Sequence, residues 1–70
     1  MPVFSPDASQ HEVAGMRVGL AYAAKRANLT GAELRCTANL LWQYFAVERG
    51  KADFANGLRD GMYIASQQRA

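Results

Sequence analysis

Cys36 is the side chain best suited to covalent chemistry in this sequence, because a thiolate is both a nucleophile and a soft metal ligand. A nucleophilic cysteine needs a base to take its proton, and the sole histidine, His11, stands far off near the amino-terminal end. The pattern therefore reads Cys36 as a small buried hydrophobe and His11 as a solvent-facing residue of a first helical turn. One cysteine has no partner for a disulfide, and one cysteine with one histidine falls short of the four ligands of a structural zinc. The acidic residues show no spacing that would hold two carboxylates together as an acid and a base. Gly15-Met16-Arg17-Val18-Gly19 lacks the preceding strand and the third glycine of a dinucleotide loop, and no phosphate-loop lysine signature occurs. The expectation is a protein without catalytic residues, metal or cofactor.

The formal net charge is +2, so where the charges fall matters more than their sum. Asp7, Glu12, Glu33 and Asp53 lie where helices should begin, and Lys25, Arg26, Arg49 and Arg69 where they should end, as the helix dipole favours. Arg17, Arg35, Lys51 and Arg59 remain and form no run, which favours a solvated surface over a phosphate-binding face. The opening MPVFSPD has neither a basic nor an apolar stretch of the secretory kind, and no later segment is apolar enough to span a membrane. A cytoplasmic location is expected, and the sequon Asn28-Leu29-Thr30 is read as coincidence.

Helix signals organise the whole chain. Ser9-Gln10-His11-Glu12 reads as a capping box, with an earlier start at Ser5 and Pro6 as the alternative. Val13, Met16, Leu20, Ala23, Ala24 and Ala27 then recur at helical steps until Asn28 stops the run. Thr30-Gly31-Ala32-Glu33 is a second capping box, with Leu29 and Leu34 placed as a hydrophobic staple. Leu34, Ala38, Leu41 and Phe45 form the apolar line of this middle helix, and Gly50 ends it. A third helix carries Phe54, Leu58, Met62 and Ala65, with Ala55 and Gly61 beside them. The spacing predicts one all-α domain over residues 1–70, a helical hairpin plus a third helix near 9–27, 31–49 and 52–68, after an extended segment over 1–8.

Two lines of small residues run at four-residue steps, Gly15, Gly19 and Ala23 in the first helix and Gly57, Gly61 and Ala65 in the third. A glycine inside a helix costs about 1 kcal/mol relative to alanine, so a return is needed. Close approach of the two helix backbones supplies one. The middle helix poses the opposite question. Stepping it by 100° puts Leu34, Ala38, Leu41, Trp42 and Phe45 on one side and Cys36, Leu40, Tyr44 and Val47 around the other. A helix with one neighbour needs an apolar stripe about 100° wide, and this arc is far wider. Either the middle helix is central, or another chain covers its second face.

A chain this short buries only about 60% of the surface its unfolded form exposes, and without a disulfide or metal the remaining support is a second subunit or a larger partner. The expected interface residues are Leu40, Tyr44 and Val47, with Trp42 at the border and Val18 and Tyr22 on the first helix. The function expected is that of a small non-enzymatic regulator, homodimeric, acting by protein–protein binding as adaptor or inhibitor; an accessory protein of a phage or mobile element fits that role. The alternative is a helix-turn-helix DNA-binding regulator, with the helix from Thr30 or the third helix in a major groove and Asn56, Arg59, Ser66 and Gln67 at base edges. Asp60 among them would repel phosphate.

Overall fold

The computed structural model describes residues 9–69, and among them the protein is three helices without a strand: α1 (Gln10–Lys25), α2 (Gly31–Ala46) and α3 (Ala52–Ser66). The extended segment expected over 1–8, the alternative start at Ser5 and Pro6, and Asp7 lie outside the described residues.

Local chemistry sets the helix starts. The Thr30 hydroxyl accepts from the Glu33 amide at 3.1 Å while the Glu33 carboxylate accepts from the Thr30 amide at 2.9 Å, which completes the capping box at the head of α2. That Thr30 amide, donating to the carboxylate, holds Glu33 below the ordinary carboxylate range. Leu29 packs on the buried cluster that contains Leu34, as a staple requires. At α1 only half of the expected box forms. Ser9 Oγ accepts from the Glu12 amide at 3.1 Å, and the return bond from Glu12 is not made among the described residues.

The helices stop earlier than periodicity implies. After Lys25 the amide of Arg26 donates to Ala23 and that of Leu29 to Arg26, so the chain tightens into turns before Asn28 is reached. Arg69 was expected to serve the end of its own helix, but it reaches across to α1 instead. Its guanidinium donates to the carbonyls of Ala23 at 2.7 Å, Arg26 at 2.8 Å and Leu29 at 2.9 Å, satisfying groups that another helical turn would have used. Beyond Ala46 the stretch expected as helix is a turn, in which Gly50 takes φ +79, the left-handed conformation that glycine adopts without strain. Lys51 then opens α3 with no side-chain cap, its ammonium 3.0 Å from Glu48.

The central helix is α3, since α1 and α2 both pack on it and scarcely meet each other. This resolves the question of the wide apolar arc on α2 against a central position for that helix. The core joins Ala23 of α1, Leu34 and Ala38 of α2, and Leu58 and Met62 of α3, with Leu41, Phe45, Phe54 and Tyr63 half-buried around it. Each fully buried leucine or methionine contributes about 1.5–3 kcal/mol. The apolar line expected on α1 is corrected. Its buried residues are Gly15, Met16, Gly19 and Ala23, whereas Leu20, Ala24 and Ala27 are exposed, because α1 meets α3 through its glycines and larger side chains flank that contact. Cys36 is likewise exposed rather than buried; its position on the helix, opposite Leu34 and Ala38, outweighs its apolar character.

Candidate functional site

The α1–α3 seam brings the two lines of small residues together. Gly15 lies against the backbone at Phe54 and Leu58, and Gly19, one turn on, against Leu58 and Met62, so the two helices run parallel. From the other side Gly57 faces the backbone of Glu12 and Met16, and Gly61 that of Met16 and Leu20. A Cβ on Gly57 would lie 2.8 Å from the Glu12 carbonyl carbon and 2.9 Å from the Met16 nitrogen, and one on Gly15 would lie 2.9 Å from the Leu58 nitrogen. All of these obstacles are backbone. Ala23 is buried at the end of the line, while Ala65 is half-buried. Gly31, read in the sequence only as part of a cap, is a further contact of this kind, with the Ser66 carbonyl 2.7 Å from where its Cβ would stand. These residues build the fold and present nothing to a ligand.

The opposite arrangement holds on α2. Its inward side is buried by α3, and its outward side sets Leu40 (62% exposed), Tyr44 (66%) and Val47 (83%) in solvent. Cys36 and Gln43 are exposed on the same side, so the outward stripe runs from Cys36 through Leu40, Gln43 and Tyr44 to Val47 without a charge. Cys36 falls on this side as the helical stepping places it, whereas Gln43 was missed as a stripe member, although four-residue spacing from Val47 carries the signal. Val18 is exposed and Tyr22 half-buried, with the Arg26 guanidinium 4.7 Å from the Tyr22 ring centre. Both lie on α1, which scarcely meets α2, so the six expected interface residues do not make one stripe.

Trp42, expected at the border, is half-buried and tied to α3. Its Nε1 donates to Asn56 Oδ1 at 2.7 Å, and the Arg59 guanidinium lies 4.6 Å from its ring centre. With Ala46, Val47 and Ala52 it lines an open cleft of about 720 Å³ that continues the outward stripe around α2 towards α3. The α2–α3 turn also borders a smaller hollow with Phe45 and Phe54 at its base and His11, Arg49 and Lys51 at its rim. Among the described residues no three His, Cys, Asp or Glu side chains converge, and no helix is long and apolar enough to cross a membrane.

The residues offered for base edges are engaged within the fold. Asn56 and Arg59 hold Trp42, and Ser66 is buried with its hydroxyl donating to the Tyr63 carbonyl at 2.6 Å. Gln67 alone of the four is exposed, and the third helix, which carries all four or their continuation and is one of the two offered for the groove, is the one packed on by both others. Comparison with known families, characterised proteins and solved structures finds no match to this chain. The surface itself is therefore the guide to function.

Proposed function

We propose that this protein is a small protein-binding regulator whose contact surface is the outward stripe of α2, acting as an adaptor or inhibitor rather than as an enzyme. The observation that carries the reading is the exposure of Leu40, Tyr44 and Val47 on one side of one helix, uninterrupted by charge. Scattered exposed apolar residues need no explanation, whereas a contiguous stripe with an aromatic in it is the composition of an interface centre. The fold supports a surface role, because the outward side of α2 takes no part in the packing on α3. Replacing Leu40 by Lys or Tyr44 by Ala should leave the helical content unchanged and abolish association, since anchors at interface centres contribute about 2 kcal/mol or more each. Association that survives both changes would refute the reading.

A further inference from the structure

We infer that the amino-terminal segment outside the described residues, 1–8, folds back over the start of α1 and seats the Phe4 ring in the hollow between Phe45 and Phe54. The occupant is set by where the chain enters the fold. Because α1 and α3 run parallel, with Gly57 against Glu12, the start of α1 lies beside the start of α3, and His11 lines the same hollow as Phe54 and the 49–51 turn. The segment joins the fold at Ser9, whose backbone is extended, two residues before a side chain that lines the hollow. Phe4 stands five residues before Ser9, a reach of up to about 16–18 Å. A tether this short holds its own side chains near the hollow at an effective concentration on the order of millimolar, which an unattached ligand of the same weak chemistry does not match.

The side chains agree with the tether. Phe45 and Phe54 stand edge to face with ring centres 5.8 Å apart, and both are only half-buried, so the pair has aromatic surface left to cover. The hollow over them holds about 320 Å³, the small end of ligand-sized cavities. Phe4 is the one aromatic outside the described residues, and its ring set edge-on extends the pair to a cluster of three. Pro2 and Pro6 each fix a φ angle and turn the preceding residue away from helix, so the segment loses less freedom on docking than a chain without them. Charge refines the pose without selecting the occupant. Of the lining cations, Lys51 is already held by Glu48 at 3.0 Å, whereas Arg49 makes no ion pair among the described residues. Glu12 and Asp53 adjoin lining residues in the chain but do not line the hollow themselves. Asp7, four residues before His11, is then the carboxylate for Arg49. The hollow shares no residue with the exposed stripe of α2, so the inference stands or falls apart from the protein-binding reading.

The test is NMR of the full chain. The expected result is nuclear Overhauser contact from the Phe4 ring to the rings of Phe45 and Phe54, arising within one chain and absent between chains in a mixture of labelled and unlabelled protein. Phe4→Ala should keep the helical content and move the resonances of His11, Phe45, Gly50 and Phe54. The Lys51 amide, which donates to the Glu48 carbonyl at 3.2 Å, should then exchange about two- to tenfold faster, the loss of one aromatic contact. Asp7→Asn should move the Arg49 side-chain resonance, which an action of Asp7 on the α1 dipole alone would leave in place. A Phe4 ring without contact to Phe45 and Phe54, or a Phe4→Ala variant in which the hollow's resonances stay put, would overturn the inference. Contacts found only between chains would overturn it as well, by giving the hollow to the segment of a second copy.

Discussion

Along the seam between α1 and α3 the residues that meet are Gly15, Gly19, Gly57 and Gly61, whereas the outward side of α2 sets Leu40, Tyr44 and Val47 in water. The smallest side chains are inside and large apolar ones are outside, the reverse of simple hydrophobic sorting. Close approach of two backbones lets this short chain form a compact pair with few buried side chains. The largest fully buried ones are Leu34, Met62 and Ser66, and none of the described aromatics is fully buried. The apolar mass of α2 that the seam does not require remains available for contact with another chain. On the reading proposed above, binding belongs to the outward side of α2, whereas stability rests on the α1–α3 seam and on the inward side of α2 that packs on α3.

The strongest way to break the contrast is at the seam. Gly57→Leu or Gly61→Leu should destabilise by about 3 kcal/mol or more, above the usual overpacking cost because backbone cannot give way as a side chain can. The gain in helix propensity, about 1 kcal/mol, would not offset this. Denaturant unfolding checks it, and a hotter melt for either variant would make the glycine line incidental. Arg69→Ala should cost less, about 1–3 kcal/mol, because it leaves the α1 carbonyls of Ala23 and Arg26 without their charged donor. Its mark should be local, with amide exchange rising in the last turn of α1 before the rest of the chain. Gly50→Ala serves as the control glycine. No atom lies within 4 Å of its Cβ position, so only the strain of positive φ remains, about 1 kcal/mol.

The smallest effect expected is that of pH on the α2 cap. Since the Thr30 amide holds the folded Glu33 below its ordinary range, the bond stabilises the helix fully above the unfolded pKa of the group. That contribution is lost as pH falls through the lowered folded value. Thr30 amide protection should decline in acid in the native protein and be insensitive to acid in Glu33→Gln.

What the sequence discloses is what depends on neighbours along the chain. The Thr30–Glu33 box is an (i, i+3) signal and stands as read, and the three helices follow from apolar period and breaker positions. The order of packing is less visible. Residues such as Ala55, Gly57 and Gly61 add almost nothing to an apolar count, so the most deeply packed helix looks less hydrophobic than α2, although all three are buried. Cys36 shows the limit of residue type as a guide, since its place on the helix wheel sets its exposure. The reach of Arg69 to carbonyls more than a helix away in the sequence has no local signature, and it supplies donors where α1 ends short of the length periodicity alone implies.

The separation of fold from contact surface is tested most directly by two neighbouring aromatics on α2. Tyr44 and Phe45 adjoin in the chain with ring centres 5.2 Å apart, yet Phe45 packs on the core and on Phe54 while Tyr44 is turned to solvent. Thermal unfolding of Tyr44→Ala and Phe45→Ala, at a concentration below that of any self-association, compares them with only the inward and outward placement different. The account predicts a change within about 0.5 kcal/mol for Tyr44→Ala and a loss of about 2–4 kcal/mol for Phe45→Ala. Equal losses would contradict it, for they would make the outward stripe part of the core.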